Sequence, residues 1–275
     1  MIKLINDDCL EAMKDISDNS IDLLFCDLPY GQTSCKWDKL IDLGLFWKQV
    51  NRICKITTPM FFTCSTKFGV SLINSNPKNF RYDLIWVKSA SCSFLNSKKM
   101  PMKKHEMIYV FYRKLPMYDL SSHKHKFIKK PNSVIKTELY SSDNKEEPRE
   151  LYRNEGGQYE PPLPNSILQE GQTEGDKGNE VYCKFKYYNN GVMGYEPPLP
   201  NTLLEIKSEK GKHATQKPVE LIKWCLKYYS KEGDTILDPT MGSGSTGVAC
   251  NSMNRNFIGI EKNKEIFKTA EERLV

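Results

Sequence analysis

The chain has 275 residues, a formal net charge of +6 and nine cysteines. That length suits one large α/β domain, or one domain carrying an insert, better than two independent domains. It contains no CxxC pair and no apolar run of the ~18 residues that would argue for a membrane span, and Met1-Ile2-Lys3-Leu4-Ile5-Asn6-Asp7-Asp8 lacks the long apolar core of a signal peptide. Reduced thiols, a cytoplasmic location and no membrane association are therefore expected.

Through the first 112 residues, short apolar runs alternate with helical patterns, as in a sheet covered by helices. Strands are predicted near Lys3 to Asn6, Ile21 to Asp27, Met60 to Cys64, Tyr82 to Val87 and Met107 to Tyr112. Ile41, Leu45, Phe46, Val50, Ile53 and Cys54 recur at helical spacing, which predicts a helix over Leu40 to Lys55. A shorter helix is expected over Val70 to Ser75.

After Arg113 the periodicity fades into Lys-, Ser-, Pro- and Gly-rich sequence that continues to about Lys210. So long a structureless loop is improbable in a compact domain, so residues 114–205 are read as a specialised insert. Residues 1–113 and 206–275 then form one discontinuous domain. Within the insert, Tyr159-Glu160-Pro161-Pro162-Leu163-Pro164-Asn165-Ser166-Ile167-Leu168 is nearly repeated as Tyr195-Glu196-Pro197-Pro198-Leu199-Pro200-Asn201-Thr202-Leu203-Leu204. Two copies do not make a solenoid, and a duplicated extended strip is the favoured reading.

Regular sequence returns at Thr215. Pro218 suits the first turn of a helix with Leu221, Ile222, Cys225, Leu226 and Tyr229 on its apolar side. A strand over Thr235 to Leu237, a Gly-rich loop, a helix to about Ser252, a strand over Phe257 to Ile260 and a helix over Lys264 to Leu274 complete the chain.

Charge is distributed unevenly. Residues 98–136 carry a net +9 and residues 138–180 a net −7. The basic cluster suggests a phosphate-contacting face for double-stranded DNA, with Lys98, Lys99, Lys103, Lys104, Lys124, Lys126, Lys129 and Lys130 as the candidate contacts. His123 and His125 lie in this Lys-rich stretch without Cys or carboxylates at ligand spacing, so no metal site is expected.

Two motifs carry the chemistry. Asp27-Leu28-Pro29-Tyr30, at the end of an apolar strand, puts a carboxylate, a Pro-constrained backbone and a flat aromatic face within one turn, which suits gripping an exocyclic amino group on a planar base. Asp238-Pro239-Thr240-Met241-Gly242-Ser243-Gly244-Ser245 follows a strand and opens a helix, the context of a cofactor loop. With Gly247 its glycines also spell the dinucleotide pattern GxGxxG. Asp238 counts against that reading, because its charge would oppose a pyrophosphate but favour the amino and sulfonium groups of S-adenosylmethionine. Only 28 residues follow Gly247, so the missing strands must come from elsewhere in the chain.

These two motifs, joined by His213-Ala214-Thr215-Gln216-Lys217-Pro218, resemble the amino-methylating DNA methyltransferases. The order, catalytic motif first and cofactor motif last, resembles their β-class. Asn6-Asp7-Asp8-Cys9-Leu10 and Lys104-His105-Glu106 are further matches. Leu28 departs from the family's Asp-Pro-Pro-Tyr, and Ala214 from its His-Pro-Thr-Gln-Lys-Pro.

The resemblance implies a doubly wound, mostly parallel α/β sheet, Rossmann-like and circularly ordered, with the insert recognising the target sequence. It implies S-adenosylmethionine as cofactor and methyl transfer to adenine N6 in a flipped-out base, with cytosine N4 the alternative and a catalytically silent binding protein a third reading. Asp27, Pro29 and Tyr30 would be catalytic, Tyr30 holding the base. Asp8, Thr215, Gln216, Lys217, Asp238, Pro239, Thr240, Gly242, Gly244, Ser245 and Glu261 would surround the cofactor. A homodimer is also implied.

Overall fold

The computed structural model describes residues 1–31, 38–92, 99–122, 124–126, 194–196, 203–208 and 216–274. The chain divides into two compact units, one of Met1–Leu120, Asn165–Ile167 and Asn201–Val275, the other of Ser121–Pro164 and Leu168–Pro200.

The first unit is built on a sheet of β1 (Ile2–Ile5), β2 (Leu23–Cys26), β3 (Met60–Cys64), β4 (Phe80–Cys92), β5 (Lys103–Phe111), β8 (Leu203–Leu204), β9 (Thr235–Asp238) and β10 (Asn256–Ile260). In the second unit, β6 (Lys124–Lys126) pairs antiparallel with β7 (Gly194–Glu196). The helices are α1 (Cys9–Ala12), α2 (Leu43–Ile53), α3 (Thr66–Ser75), α4 (Val219–Tyr229), α5 (Ser245–Ser252) and α6 (Lys264–Leu274).

The large sheet runs β1-β10-β9-β2-β3-β5-β4-β8. It is parallel except where β5 pairs with β3 and β4. Every residue of β2 and β3 is buried, as expected of strands covered on both faces. Side chains alternate between the faces. Leu24, Cys26, Met60 and Phe62 join a core with Phe46, Trp47, Val50 and Ile53 of α2 and Phe68 and Leu72 of α3. Leu23, Phe25 and Phe61 join another with Leu221, Ile222, Cys225 and Leu226 of α4 and Ala249 and Cys250 of α5. The sheet is therefore doubly wound, as predicted.

The chain order has the predicted circular form. β1 pairs with β10, and β9 pairs with β2 at Leu24 opposite Leu237, so the first and last strands share one sheet. From β9 the chain steps through α5 to β10, whereas from β2 it steps through α2 to β3, on the other side. The boundary between β9 and β2 is thus a switch point, where the carboxyl ends of parallel strands leave a crevice. Asp238 ends β9 and Asp27 follows β2, so the fold itself brings the two motifs together.

Local signals explain where observed and predicted elements differ. α3 begins at Thr66 rather than Val70 because Ser65 accepts a hydrogen bond from the Phe68 N–H and caps it. The short α1, not predicted, is capped by Asp8, which accepts from the Leu10 N–H. β4 runs well past Val87 because its antiparallel pairing with β5 continues to Cys92 opposite Lys103. The apolar pattern used to predict it ends sooner. Of the near-repeat, the first copy lies outside the described residues, and the second contributes Tyr195-Glu196 to β7 and Leu203-Leu204 to β8.

Candidate active site

A cleft of about 1010 Å³ opens at the switch point, lined by both motifs. Asp8, Asp27, Pro29, Tyr30, Gln216, Lys217, Asp238, Pro239, Thr240, Gly242, Ser245 and Glu261 all border it. Thr215 lies outside the described residues, and Gly244 stands at the base of the loop as the cap of α5.

The Asp27 carboxylate is well supplied with donors. Its Oδ1 accepts from the Tyr30 hydroxyl at 2.5 Å and the Thr63 hydroxyl at 2.7 Å, and its Oδ2 accepts from Lys217 Nζ at 2.6 Å. Tyr30 OH also lies 2.9 Å from the Thr63 carbonyl, and its ring packs on Phe68 with centroids 5.3 Å apart. Burial, with the charges of Asp27 and Glu106, pushes the Tyr30 hydroxyl far up, so it remains a donor. The Thr240 hydroxyl donates to the Asp27 backbone carbonyl at 3.0 Å, fastening the catalytic turn to the Gly-rich loop.

Lys217 is a buried partner in this structure. Burial works against its charge, but Asp27 and Glu106 outweigh that and hold its ammonium protonated above the usual lysine range. Glu106 on β5 lies 3.2 Å from Lys217 Nζ and 2.7 Å from Lys88 Nζ. Burial opposes the Glu106 charge too, and the two lysines nonetheless keep its carboxyl below the usual range.

The cofactor-motif carboxylate is deeper. Asp238 is 4% exposed and accepts from the Thr246 hydroxyl at 2.5 Å and the Thr240 N–H at 3.1 Å. Burial, reinforced by Asp27 and Glu261, pushes its carboxyl up to about 7 against those two bonds. Gly242 has φ +53°, and a Cβ there would meet nothing within 4 Å. Its backbone faces open cleft, where a ligand can come close. The Ser245 hydroxyl is buried without a hydrogen-bond partner among the described residues. A raised carboxyl, an open glycine backbone and an unsatisfied hydroxyl on one loop fit a zwitterionic amino-acid ligand.

Around this loop, Glu261 accepts from the Gly242 N–H at 3.2 Å and the Asn263 N–H at 2.7 Å. Asp8 pairs with Lys262 at 2.9 Å across the opposite wall. Arg273, near the end of α6, donates to the Ser243 carbonyl at 2.7 Å and reaches Gln216 Oε1 at 3.4 Å. Cys26 is fully buried, and burial beside Asp238 holds its thiol well above the ordinary range, which suits a packing residue.

The basic candidates are only partly placed. Lys103 borders the cleft and Lys104 lies beside it on β5, while Lys99 is exposed at the start of that hairpin arm. Lys124 and Lys126 belong to β6, and Lys98, Lys129 and Lys130 lie outside the described residues. Sequence reasoning assigned no role to Thr63, Lys88, Glu106 or Arg273. A Thr inside the otherwise apolar Met60–Cys64 run was the one signal for Thr63, and Glu106 stood in a matched motif without a partner to give it meaning.

The DNA methylase family profile matches residues 21–272. The chain belongs to that family. A type II methyltransferase of Streptococcus pneumoniae, M2.DpnII, is 47% identical over 93 residues, covering 34% of this chain and 35% of the relative's length. Among solved structures, the M1.HpyAVI complex with SAM aligns over the whole of both chains with a TM-score of 0.58 and 21% identity. The PvuII cytosine-N4-specific DNA methyltransferase aligns over 100% of this chain and 86% of its own, with a TM-score of 0.61 and 13% identity. Both structural likenesses bear on the fold, and they agree with the doubly wound sheet described above. Among the described residues no helix is long and apolar enough to cross a membrane, and no cluster of metal-ligating side chains occurs.

Proposed function

We propose that this protein is an S-adenosylmethionine-dependent, site-specific DNA methyltransferase acting on the N6 amino group of adenine in a base turned out of the duplex. The observation that carries this reading is the meeting of Asp27 and Asp238 in one cleft at the switch point. When bound, the cofactor supplies an electrophilic methyl group on a sulfonium sulfur. Asp238 would hold its amino group, Ser245 and the Gly242 backbone its amino-acid end, Glu261 its ribose hydroxyls and Asp8 its adenine.

The chain's own part is to prepare the nucleophile. An exocyclic amino nitrogen is weakly nucleophilic because its lone pair is delocalised into the ring. A carboxylate offers about four lone-pair sites. Tyr30 and Thr63 occupy Oδ1 of Asp27 and Lys217 one side of Oδ2, so the remaining acceptor site is on Oδ2. One amino hydrogen would bind there and the other a carbonyl near Leu28 or Pro29, favouring a pyramidal nitrogen. Positioning of this kind supplies much of such a rate enhancement. Tyr30 would hold the base face, which requires the base to leave the stack.

Residues 114–205 are assigned target recognition, with their lysines on phosphates, and the active form is proposed to be a homodimer. Adenine is preferred because family members with Asp at the first motif position are mostly adenine enzymes. Incubation with labelled S-adenosylmethionine and unmethylated DNA, followed by digestion to nucleosides, tests the assignment. N6-methyladenine is expected; N4-methylcytosine would reassign the base, and no labelled nucleoside would refute the activity.

A further inference from the structure

The Asp27 carboxylate is one end of a chain of alternating charge. Lys217 Nζ lies 2.6 Å from its Oδ2 and 3.2 Å from Glu106 Oε1, and Lys88 Nζ lies 2.7 Å from Glu106 Oε2. These four groups come from the turn after β2, the segment before α4, and strands β5 and β4, and their charges sum to zero. The Lys217 and Glu106 side chains are 12% and 11% exposed, so solvent screens the inner pair poorly.

We propose that Glu106 is a positioning residue for the methyl transfer, holding and neutralising the Lys217 ammonium so that the negative charge of Asp27 stays available to the target amino group. The inference rests on the activity proposed above. In that reaction the amino nitrogen gains a C–N bond and a positive charge, the sulfur keeps the electron pair of the broken S–C bond, and one proton then passes from the nitrogen to the Asp27 carboxylate and on to solvent. A lone lysine ammonium at Oδ2 would cancel the carboxylate as positive charge develops beside it. Glu106, the ammonium's second carboxylate partner, offsets that cation.

Asp27 and Glu106 set the ionisation of Lys217 against its burial, and other titratable groups lie nearby. Asp27 and Glu106 touch it directly, Cys64 lies close on β3, and Lys88 of β4 and Lys103 of β5 border the same cleft. Tyr30 and Asp238 lie within the field of Asp27. Of these carboxylates, Glu106 borders the cleft from β5 and belongs to neither the Asp27 turn nor the cofactor loop. Removing its charge therefore isolates the balance of the chain.

The test is Glu106→Gln. With labelled S-adenosylmethionine and unmethylated DNA of mixed sequence at pH 7.5, kcat is expected to fall about 10- to 100-fold, less than the roughly 100- to 1000-fold of a lost direct contact because Glu106 acts through Lys217. Cofactor Kd should stay within about threefold. With one carboxylate gone, Lys217 loses its proton more readily, so the variant should recover about tenfold between pH 7.5 and 9.5 while the wild type does not. Glu106→Gln combined with Lys217→Met restores zero net charge and should exceed Glu106→Gln alone at pH 7.5. A pH profile parallel to the wild type, or a double variant no better than the single one, would overturn the proposal.

A readout without turnover separates this inference from the activity it rests on. Acylation of Lys217 in the free protein, followed by mass spectrometry across the same pH range, should begin at lower pH in Glu106→Gln than in wild type. An unchanged onset overturns the proposal. A shifted onset in a protein whose wild type methylates no DNA would refute the activity, and the catalytic role of Glu106 with it, while leaving the charge chain in place.

Discussion

Asp238 makes the cleft sensitive to pH. Its carboxyl titrates at about 7 in the folded chain, above its ordinary 3.8, so the folded state favours the protonated form. The contribution to stability is full below pH 3.8 and is lost as pH rises through 7. Binding of a cationic ligand has the opposite sign, because it requires the ionised form. Affinity for S-adenosylmethionine should therefore weaken about tenfold per pH unit below pH 7 and level off above it. Titration calorimetry between pH 5.5 and 7.5 checks this, and a flat profile would remove Asp238 from the ligand's amino group. At Asp27, substitution by Ala should reduce methyl transfer by at least about 100-fold while changing cofactor affinity by less than about threefold. Near-normal turnover in that variant would remove Asp27 from catalysis. Both carboxylates were legible in the sequence because each ends an apolar strand. Of the donors around Asp27, Tyr30 stands in the same motif, whereas the approach of Thr63 and Lys217 depends on how β3 and α4 pack, which the sequence does not display.

The Gly-rich segment works as an element because its glycines do different jobs. Gly242 leaves the backbone open to the cleft, whereas Gly247 sits under α6: a Cβ there would lie 2.5 Å from Leu274 and 2.8 Å from Phe257. Gly247→Val should accordingly destabilise the protein by about 1–3 kcal/mol, read as a lower denaturant midpoint, through overpacking between α5 and α6. Gly242→Ala should instead weaken cofactor binding with a smaller loss of stability, set by its positive φ. A midpoint equal to the wild type in Gly247→Val would show that α6 can shift aside. The pattern GxGxxG could not make this distinction, because spacing alone does not say which glycine faces a ligand and which faces a helix. Helices α2 and α4 were readable for a related reason: their apolar residues recur every three to four positions and face a wide sheet. The start of α3 depended on a serine cap, a weaker signal than periodicity.

At the scale of the molecule, the sharing of one sheet by the first and last strands followed from two motifs in an unusual sequence order, and seven of its strands from short apolar runs. The insert gave no comparable purchase, because its charge and Pro-Gly content carry little periodicity from which elements can be read. Its proposed role is nevertheless testable as electrostatics. Replacing Lys124, Lys126, Lys129 and Lys130 with Gln should weaken DNA binding and flatten the dependence of log K on log salt by up to about 3 to 4 units. Cofactor binding, which belongs to the other unit, should not change. An unaltered salt slope would place the DNA elsewhere.

The position of β9 in the middle of the sheet also bears on how the protein is made. β9 separates β2 from β10 and β1, yet it begins at residue 235, after more than two hundred residues have left the ribosome. Until then β2 has a neighbour on only one side and β1 has none. The nascent chain must therefore keep apolar strand edges waiting through the synthesis of the whole insert, the kind of exposure that favours aggregation or chaperone binding. A protein interrupted before β9 would hold Asp27 and Tyr30 but no wall to face them, so partial synthesis products would be inert toward DNA.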